Sequence, residues 1–177
     1  MHFFSTITTG NKIRLVSCFC GIATNNKKRK VKKMKKFYLY VWKVNSENET
    51  EKIGEAFAKD LPAGSVVAMY GDLGAGKTAF IRGMARGLGI DARVYSPTFT
   101  IVNEYPGRPE LIHFDMYRLH SAEELFDIGW EDYLNRGAIC AVEWSENVSD
   151  AFFGDEICVT IEKTGDTSRK ITIGERP

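Results

Sequence analysis

Eight consecutive residues have types and spacing that suit phosphate binding. Residues 71–78 read G-D-L-G-A-G-K-T, which matches the pattern G-x-x-x-x-G-K-T. Consecutive backbone N–H groups in such a loop hold phosphate oxygens, and the glycines permit the close approach that this requires. Lys77 would reach the β- and γ-phosphates of a nucleotide, while the hydroxyl of Thr78 would bind Mg²⁺. The residues predicted to bind the nucleotide through this loop are Gly71, Asp72, Leu73, Gly74, Ala75, Gly76, Lys77 and Thr78.

The chain on either side of this loop has the pattern that the motif needs. Residues 65–70 are an apolar run typical of a buried strand, and residues 77–88 carry the apolar positions of a helix that ends near Gly89. The first turn of that helix would direct free N–H groups and the positive end of its dipole at the anion. The alternative is a glycine-rich turn between a strand and a helix that binds nothing.

Helices and strands alternate along the rest of the body. Ser46 followed by Glu49 predicts a helix to about Leu61, and Ser121 followed by Glu124 predicts another. The first of these helices is expected to turn Ile53, Ala56, Phe57 and Leu61 inward. Further strands are predicted over 37–44, 98–105, 111–116, 138–142, 156–161 and 170–173, with a short helix over 130–135. The pattern predicts one three-layer α/β domain of the P-loop NTPase type, with a mostly parallel sheet and some antiparallel strands.

Two acids end apolar runs, where ligands of such sheets are bound. Glu143 follows residues 138–142 and is the better candidate for a magnesium ligand, although it could instead cap a helix that begins near Ser145. Asp115 follows residues 111–114, and its alternative is a surface acid on a hairpin strand. The side chain of Asp72 is expected to vary rather than to bind a ligand.

Two further segments complete a recognisable set. Residues 96–99 read S-P-T-F and residues 113–118 read H-F-D-M-Y-R, while Glu143 is followed by Trp144. Taken alone, the first segment could be a simple turn and His113 a hydrogen-bonded structural histidine. Together with the P-loop, in this order and spacing over about residues 45–165, they make the chain resemble the TsaE (YjeE) family. That family is the P-loop ATPase component of bacterial tRNA threonylcarbamoyladenosine (t6A) synthesis.

The resemblance implies a role for each matching residue. Lys77 and Thr78 would bind ATP with Mg²⁺, and Glu143 would act with Thr78 at the metal. Thr98 would lie in a switch-like loop, and Asp115 would be an essential acid near the γ-phosphate. Trp144 would lie beside the nucleotide. The resemblance also implies that this protein acts on a pair of TsaD-type and TsaB-type proteins, that its ATP hydrolysis resets them between turnovers, and that tRNA is bound by these partners.

Charge is segregated along the chain despite a net charge of +1. Residues 1–46 hold eleven Lys and Arg and no Asp or Glu, whereas residues 47–177 hold thirteen basic and twenty-three acidic residues. Such an acidic body is not expected to bind nucleic acid tightly by itself. Residues 1–33 differ from the rest and have three interpretations: translation upstream of a true start at Met34, a disordered basic tail, or a transit peptide. The domain itself is predicted over 34–177.

Other classes of protein are less consistent with the sequence. No apolar run approaches the length of a membrane span. Cys140 and Cys158 lie in strand-like apolar runs, as buried thiols do, which suggests a reducing cytosol. A small-molecule kinase usually carries an arginine-bearing lid, and a GTP-dependent switch needs an N-K-x-D element that is absent. An ABC-type ATPase would need a segment like L-S-G-G-Q, which is also absent.

Overall fold

The computed structural model describes residues 12–14 and 39–174, and the interpretations of residues 1–33 fall mostly outside that part. One sheet of eight strands runs through the described chain in the order β1-β2-β8-β7-β3-β6-β5-β4. The strands are β1 (Lys12–Arg14), β2 (Leu39–Val44), β3 (Val66–Tyr70), β4 (Val102–Tyr105), β5 (Leu111–Asp115), β6 (Ile139–Glu143), β7 (Ile157–Lys163) and β8 (Arg169–Gly174). The helices are α1 (Glu47–Ala58), α2 (Lys77–Gly87), α3 (Ala122–Asp127) and α4 (Trp130–Asn135), with a 3₁₀ segment over Ser145–Ala151.

The centre of the sheet is parallel and its two edges are antiparallel. Strands β7, β3, β6 and β5 pair in parallel, whereas β8, β2 and β1 extend one side and β4 the other in antiparallel pairings. The predicted α/β fold with its central parallel strands is therefore confirmed. The predicted hairpin is also present, because β4 and β5 pair around residues 106–110.

Helices cover both faces of the sheet, which gives the three predicted layers. The pleat alternates along β5 and β6, so Leu111 and Ile139 pack with α1 and α2, while Ile112 and Cys140 pack against α3, α4 and the 3₁₀ segment. Strands β5 and β6 are buried along their whole length. Burial raises the pKa of the Cys140 thiol to about 12, as expected for an unreactive structural cysteine.

Two predicted boundaries were wrong by several residues. Helix α1 ends at Ala58 rather than near Leu61, and its buried positions include Gly54 and Ala58, while Ala56 and Leu61 are half-buried. Strand β4 begins at Val102 rather than at residue 98, because the chain turns before it. Ile101 lies in that turn with φ 67°, and its N–H donates to the carbonyl oxygen of Pro97 at 2.6 Å.

Capping by side chains defines the start of two helices as the sequence predicts. The Ser46 hydroxyl accepts a hydrogen bond from the Glu49 backbone N–H at 3.2 Å, and the Ser121 hydroxyl accepts one from Glu124 at 3.4 Å. Each bond satisfies one of the free N–H groups in a first helical turn. Within residues 12–14 and 39–174, no helix has both the length and the apolar character needed to cross a bilayer.

Candidate functional site

The P-loop joins the carboxyl end of β3 to the start of α2. Gly71 has φ +135°, and a Cβ atom there would lie 2.2 Å from the carbonyl oxygen of Ile161, so no side chain fits. Gly76 has φ +110° and precedes the first residue of α2, Lys77. These two glycines let the chain reverse tightly between strand and helix, and the first N–H groups of α2 are left free at the loop. The geometry is that of an anion-binding helix N-terminus.

Two basic side chains from the neighbouring β7–β8 hairpin hold the loop from its outer side. The Lys163 ammonium donates to the carbonyl oxygen of Leu73 at 2.7 Å. The Arg169 guanidinium donates through Nε to the carbonyl oxygen of Ala75 at 2.9 Å. Because both acceptors are backbone carbonyls, these bonds fix the course of the loop without using its N–H groups. Neither residue was predicted, because both belong to no motif and lie about ninety positions from the loop.

The side chain of Lys77 is buried inside the loop. Its Nζ lies 2.5 Å from the carbonyl oxygen of Gly71 and 3.2 Å from that of Asp72. The same ammonium lies 3.9 Å from the ring centroid of Trp144, which is a cation–π contact. Burial lowers the pKa of Lys77, and the charge of Glu143 is the largest effect that opposes this. Trp144 is held beside the loop by a left-handed backbone conformation with φ 58°.

Thr78 and Glu143 meet at the end of the loop. The Thr78 hydroxyl donates to Oε1 of Glu143 at 2.7 Å, and Glu143 is 4% exposed at the carboxyl end of β6. The carboxylate of Glu143 contacts Thr78 and His113. It therefore does not cap the 3₁₀ segment, which was the alternative interpretation. One hydroxyl and one carboxylate suit Mg²⁺, which takes its other ligands from waters and substrate phosphates. Among the described residues, no group of three or more His, Cys, Asp and Glu side chains forms a metal cluster.

Asp115 forms a second polar group next to Glu143. The two acids are paired in register at the ends of β5 and β6. Oδ2 of Asp115 accepts hydrogen bonds from the hydroxyls of Ser96 and Thr98, each at 2.6 Å. Its Oδ1 accepts from the backbone N–H of Tyr117 at 3.0 Å. Asp115 is 2% exposed, so the alternative of a surface acid is wrong. We call the contact of Ser96 and Thr98 with Asp115 the hydroxyl latch.

His113 lies two residues before Asp115 on the same face of β5 and is fully buried. Its Nε2 is 2.9 Å from Oε1 of Glu143, the oxygen that also accepts from Thr78. From the sequence alone, His113 could be a hydrogen-bonded structural histidine. The spacing of two residues between His113 and Asp115 on one strand could have indicated that their side chains share a face of the sheet.

The structure thus brings the predicted site residues together at the carboxyl end of the parallel strands. Lys77, Thr78 and Trp144 lie around the loop, with Glu143 beside them and the hydroxyl latch at Asp115 next to Glu143. The side chain of Asp72 is exposed, and its backbone carbonyl accepts from Lys77 and from the N–H of Ala75. Roles in nucleotide binding, metal binding and catalysis remain predictions for all of these residues.

A parallel-centred sheet between two helical layers, with this loop after its central strand, defines the class of P-loop domains. The family model that matches residues 44–171 is described as TsaE, threonylcarbamoyl adenosine biosynthesis protein. The chain belongs to the TsaE family. The predicted family is therefore confirmed.

Several relatives support this assignment. The chain is similar to the tRNA threonylcarbamoyladenosine biosynthesis protein TsaE of Treponema pallidum, with 39% identity over 128 residues, 72% of this chain and 95% of that protein. The TsaE protein of Bacillus subtilis is 39% identical over 132 residues, 74% of this chain and 82% of that protein. The crystal structure of YdiB from Bacillus subtilis superposes with a TM-score of 0.67 at 34% identity, covering 77% of this chain and 84% of the other.

Proposed function

We propose that the protein binds ATP with Mg²⁺ in the P-loop and hydrolyses it as the ATPase component of t6A biosynthesis. The observation that carries the proposal is the contact of Thr78 with Glu143 at 2.7 Å. This contact joins the P-loop hydroxyl to a buried strand-end acid, which is the pair that P-loop ATPases use for their metal. Membership of the TsaE family supports a role in t6A biosynthesis, and the geometry of the site supports ATP hydrolysis.

Different residues of the site would bind the phosphates, hold the metal and orient the attacking water. The free N–H groups of the loop and of α2 would hold the phosphates, and Lys77 would exchange its two backbone carbonyl partners for phosphate oxygens. Mg²⁺, when bound, would neutralise charge on the transferred phosphoryl group. Thr78 and Glu143 fit as its protein ligands. Asp115 would accept a hydrogen bond from the attacking water and so orient it towards phosphorus.

The hydroxyl latch suggests why the protein would be a slow ATPase by itself. Oδ2 of Asp115 is occupied by Ser96 and Thr98, so that oxygen is not free to accept from water in this conformation. We expect the loop that carries Thr98 to leave Asp115 when a partner closes over the site. This movement would free the carboxylate of Asp115 to accept from water. It would also bring the Thr98 hydroxyl towards the γ-phosphate.

Apolar side chains at the mouth of the site suit such a partner. Leu73 on the P-loop is 73% exposed and Phe99 next to Thr98 is 88% exposed. Tyr117, which follows Asp115 and Met116, is half exposed and packs against Trp144 with ring centroids 5.0 Å apart. Large exposed apolar side chains on neighbouring loops are typical of interaction surfaces. We propose that the partner is the TsaD–TsaB pair, that tRNA is bound by this pair, and that the complex works in the cytoplasm.

A reconstituted reaction tests the function. It would contain tRNA, threonine, bicarbonate, ATP, the enzyme that forms the carbamoyl-adenylate, and the TsaD–TsaB pair. We expect repeated rounds of modification with this protein, and loss of multiple turnover when it is omitted. Asp115→Ala and Glu143→Ala should still bind nucleotide yet fail to support repeated rounds, because the loop supplies most of the phosphate contacts.

A matched control is the exposed acid Asp155, just before β7 at the opposite end of the sheet. Asp155→Ala should support as many rounds as the wild type. Modification that continues unchanged without the protein, or with both site variants, would contradict the proposed function. Calorimetry should also show tighter binding of ATP than of GTP, and equal affinities would contradict the specificity for adenine.

A further inference from the structure

His113 makes one polar contact in the described structure, and that contact is to Glu143. The ring is fully buried on the α2 face of β5, and Nε2 lies 2.9 Å from Oε1 of Glu143. Nδ1, the other ring nitrogen, is buried without a hydrogen-bond partner among the described residues. A histidine that linked several elements would use both ring nitrogens, whereas His113 contacts one carboxylate through one nitrogen.

The contact determines where the ring carries its proton. An ionised carboxylate only accepts hydrogen bonds, so Nε2 must be the donor in a bond to Glu143. Nδ1 has no partner, and a buried unpaired acceptor is less costly than a buried unpaired N–H. His113 therefore donates one N–H hydrogen bond, from Nε2 to Glu143.

The donor acts on an oxygen that already has a partner. Oε1 of Glu143 accepts from the Thr78 hydroxyl at 2.7 Å and from His113 on another side. Two donors on one carboxylate oxygen restrict rotation of the carboxylate about its terminal bond. The side chain thereby presents a fixed edge towards the end of the P-loop, where a nucleotide-bound metal would be.

His113 lies deeper in the sheet than Asp115 and contacts the site through Glu143. It precedes Asp115 by two residues, which places it about 6.6 Å further from the strand end at the usual rise per residue. A group at that depth acts through the side chain that it contacts, as hydrogen-bonded neighbours of metal ligands do.

We propose that His113 is a positioning residue that orients the carboxylate of Glu143 for Mg²⁺ bound together with the nucleotide. This inference rests on the proposed function, since it assumes that a metal and a nucleotide share the site. It assigns to the first residue of the H-x-D-x-Y-R segment a role distinct from that of Asp115.

Calorimetric titration of the full chain with ATP, in excess Mg²⁺ and in EDTA, tests the role without relying on turnover. The ratio of the two dissociation constants measures how much the metal contributes to binding. For His113→Leu, which removes the donor at similar volume, we expect this ratio to fall by about tenfold or more. The dissociation constant in EDTA should change less than about twofold, because the loop contacts remain.

Two polar variants separate the donor from mere packing. The amide nitrogen of His113→Gln can reach the position of Nε2 and should retain most of the metal effect. His113→Asn places its amide near Nδ1, cannot reach Glu143, and should lose the effect as His113→Leu does. If His113→Leu does not fold, the comparison of the Gln and Asn variants decides the question.

The outcomes distinguish this inference from the function on which it rests. A wild-type protein whose ATP binding gains nothing from Mg²⁺ would contradict the proposed function. A wild-type gain that persists in His113→Leu and His113→Asn would overturn the positioning role alone. Equal losses in the folded Gln and Asn variants would also overturn it, because the shape of the ring rather than its N–H donor would then matter.

Discussion

At the scale of single residues, the acid at the end of β5 shows how a buried carboxyl group is held. Asp115 is nearly inaccessible to solvent, and its carboxylate receives three hydrogen bonds, from two hydroxyls and one backbone N–H. A buried carboxylate without such donors would destabilise the fold by several kcal/mol. The hydroxyl latch therefore contributes to stability in this conformation as well as to the proposed control of the site.

Removing the two hydroxyls of the latch should be more costly together than separately. Ser96→Ala and Thr98→Val should each lower the free energy of unfolding by about 1 kcal/mol, because the other donor remains on Oδ2. The double variant should lose more than the sum, with a coupling of about 0.5–3 kcal/mol. Urea unfolding of the four proteins measures this cycle.

Thr100→Val is the matched control for the latch. Its hydroxyl donates to Asn103 at the surface, 3.3 Å away, so its loss should change stability little. Strict additivity of Ser96→Ala and Thr98→Val would show that the two hydroxyls do not share Asp115.

The residues of the site were predictable to different degrees. The P-loop and the acids Asp115 and Glu143 could be located because glycine spacing and strand ends are local features of the sequence. The pairing of Thr78 with Glu143 follows once both strands are in one parallel sheet. The latch from Ser96 to Asp115 could not be predicted, because it depends on how the turn before β4 folds back. Their roles in catalysis remain predictions.

At the scale of elements, the crossing of α1 and α2 depends on glycines. A Cβ atom on Gly83 would lie 2.0 Å from the carbonyl oxygen of Glu51, and one on Gly54 would lie 2.2 Å from that of Phe80. Backbone of one helix therefore contacts backbone of the other. Ion pairs border the crossing, with Arg82 and Arg86 both donating to the carboxylate of Glu51. The sequence indicated the helices, but not that glycine was needed at their contact.

Gly83→Ala should destabilise the protein although it raises helix propensity. In an exposed helix this change stabilises by about 1 kcal/mol, so any net loss reports the contact with α1. We expect a loss of about 2 kcal/mol, since overpacking costs about 1–3 kcal/mol and Glu51 presents rigid backbone at this point. Equilibrium urea unfolding provides the measurement.

Gly165→Ala serves as the control for the helix crossing. A Cβ atom there would meet Ser168 at an ordinary 3.6 Å, so stability should hardly change. A stabilised Gly83→Ala protein would mean that the helices can separate without cost.

The β7–β8 hairpin is the element that supports the P-loop from outside. Arg169→Met should weaken ATP binding by about 1 kcal/mol, roughly fivefold in Kd, because the carbonyl of Ala75 loses its donor and the loop becomes less ordered. Lys163→Met should act in the same direction but less strongly, since Lys163 is exposed. Calorimetric titration with ATP measures both effects.

Lys170→Met is the matched control for the hairpin. Its ammonium pairs with Glu162 on the neighbouring strand at 2.6 Å rather than with the loop. Its affinity for ATP should equal that of the wild type. If Lys170→Met and Arg169→Met weakened binding alike, the effect would come from net charge and not from support of the loop.

At the scale of the whole molecule, the acidic body differs in composition from the basic N-terminal segment, residues 1–33. The described structure gives the sheet one contact with that segment, the pairing of β1 with β2 over three residues. Among the described residues, the core clusters are formed by residues after 39. The fold was predictable at this scale, because the alternation of helices and strands spans the body, whereas the pairing of β1 left no recognisable pattern.

A chain that begins at Met34 should fold and hydrolyse ATP like the full chain. Loss of residues 1–33 removes a pairing of only three residues at one end of the sheet, so we expect the melting temperature to change by less than about 3 °C. Differential scanning calorimetry and a phosphate-release assay compare the two proteins. A large fall in melting temperature would show that residues 1–33 stabilise the body by more than the pairing of β1 with β2.

The contact of Lys77 with Trp144 has an optical consequence. An indole in its excited state has a large dipole, so its emission responds to a charge only 3.9 Å from the ring centroid. The ammonium must leave the ring to reach a phosphate, and the emission of Trp144 should then shift as nucleotide is added. Trp42 and Trp130, which are buried elsewhere, should contribute a constant background, and Trp144→Phe should abolish the shift. The protein would thus report the filling of its own site by fluorescence, without an attached dye.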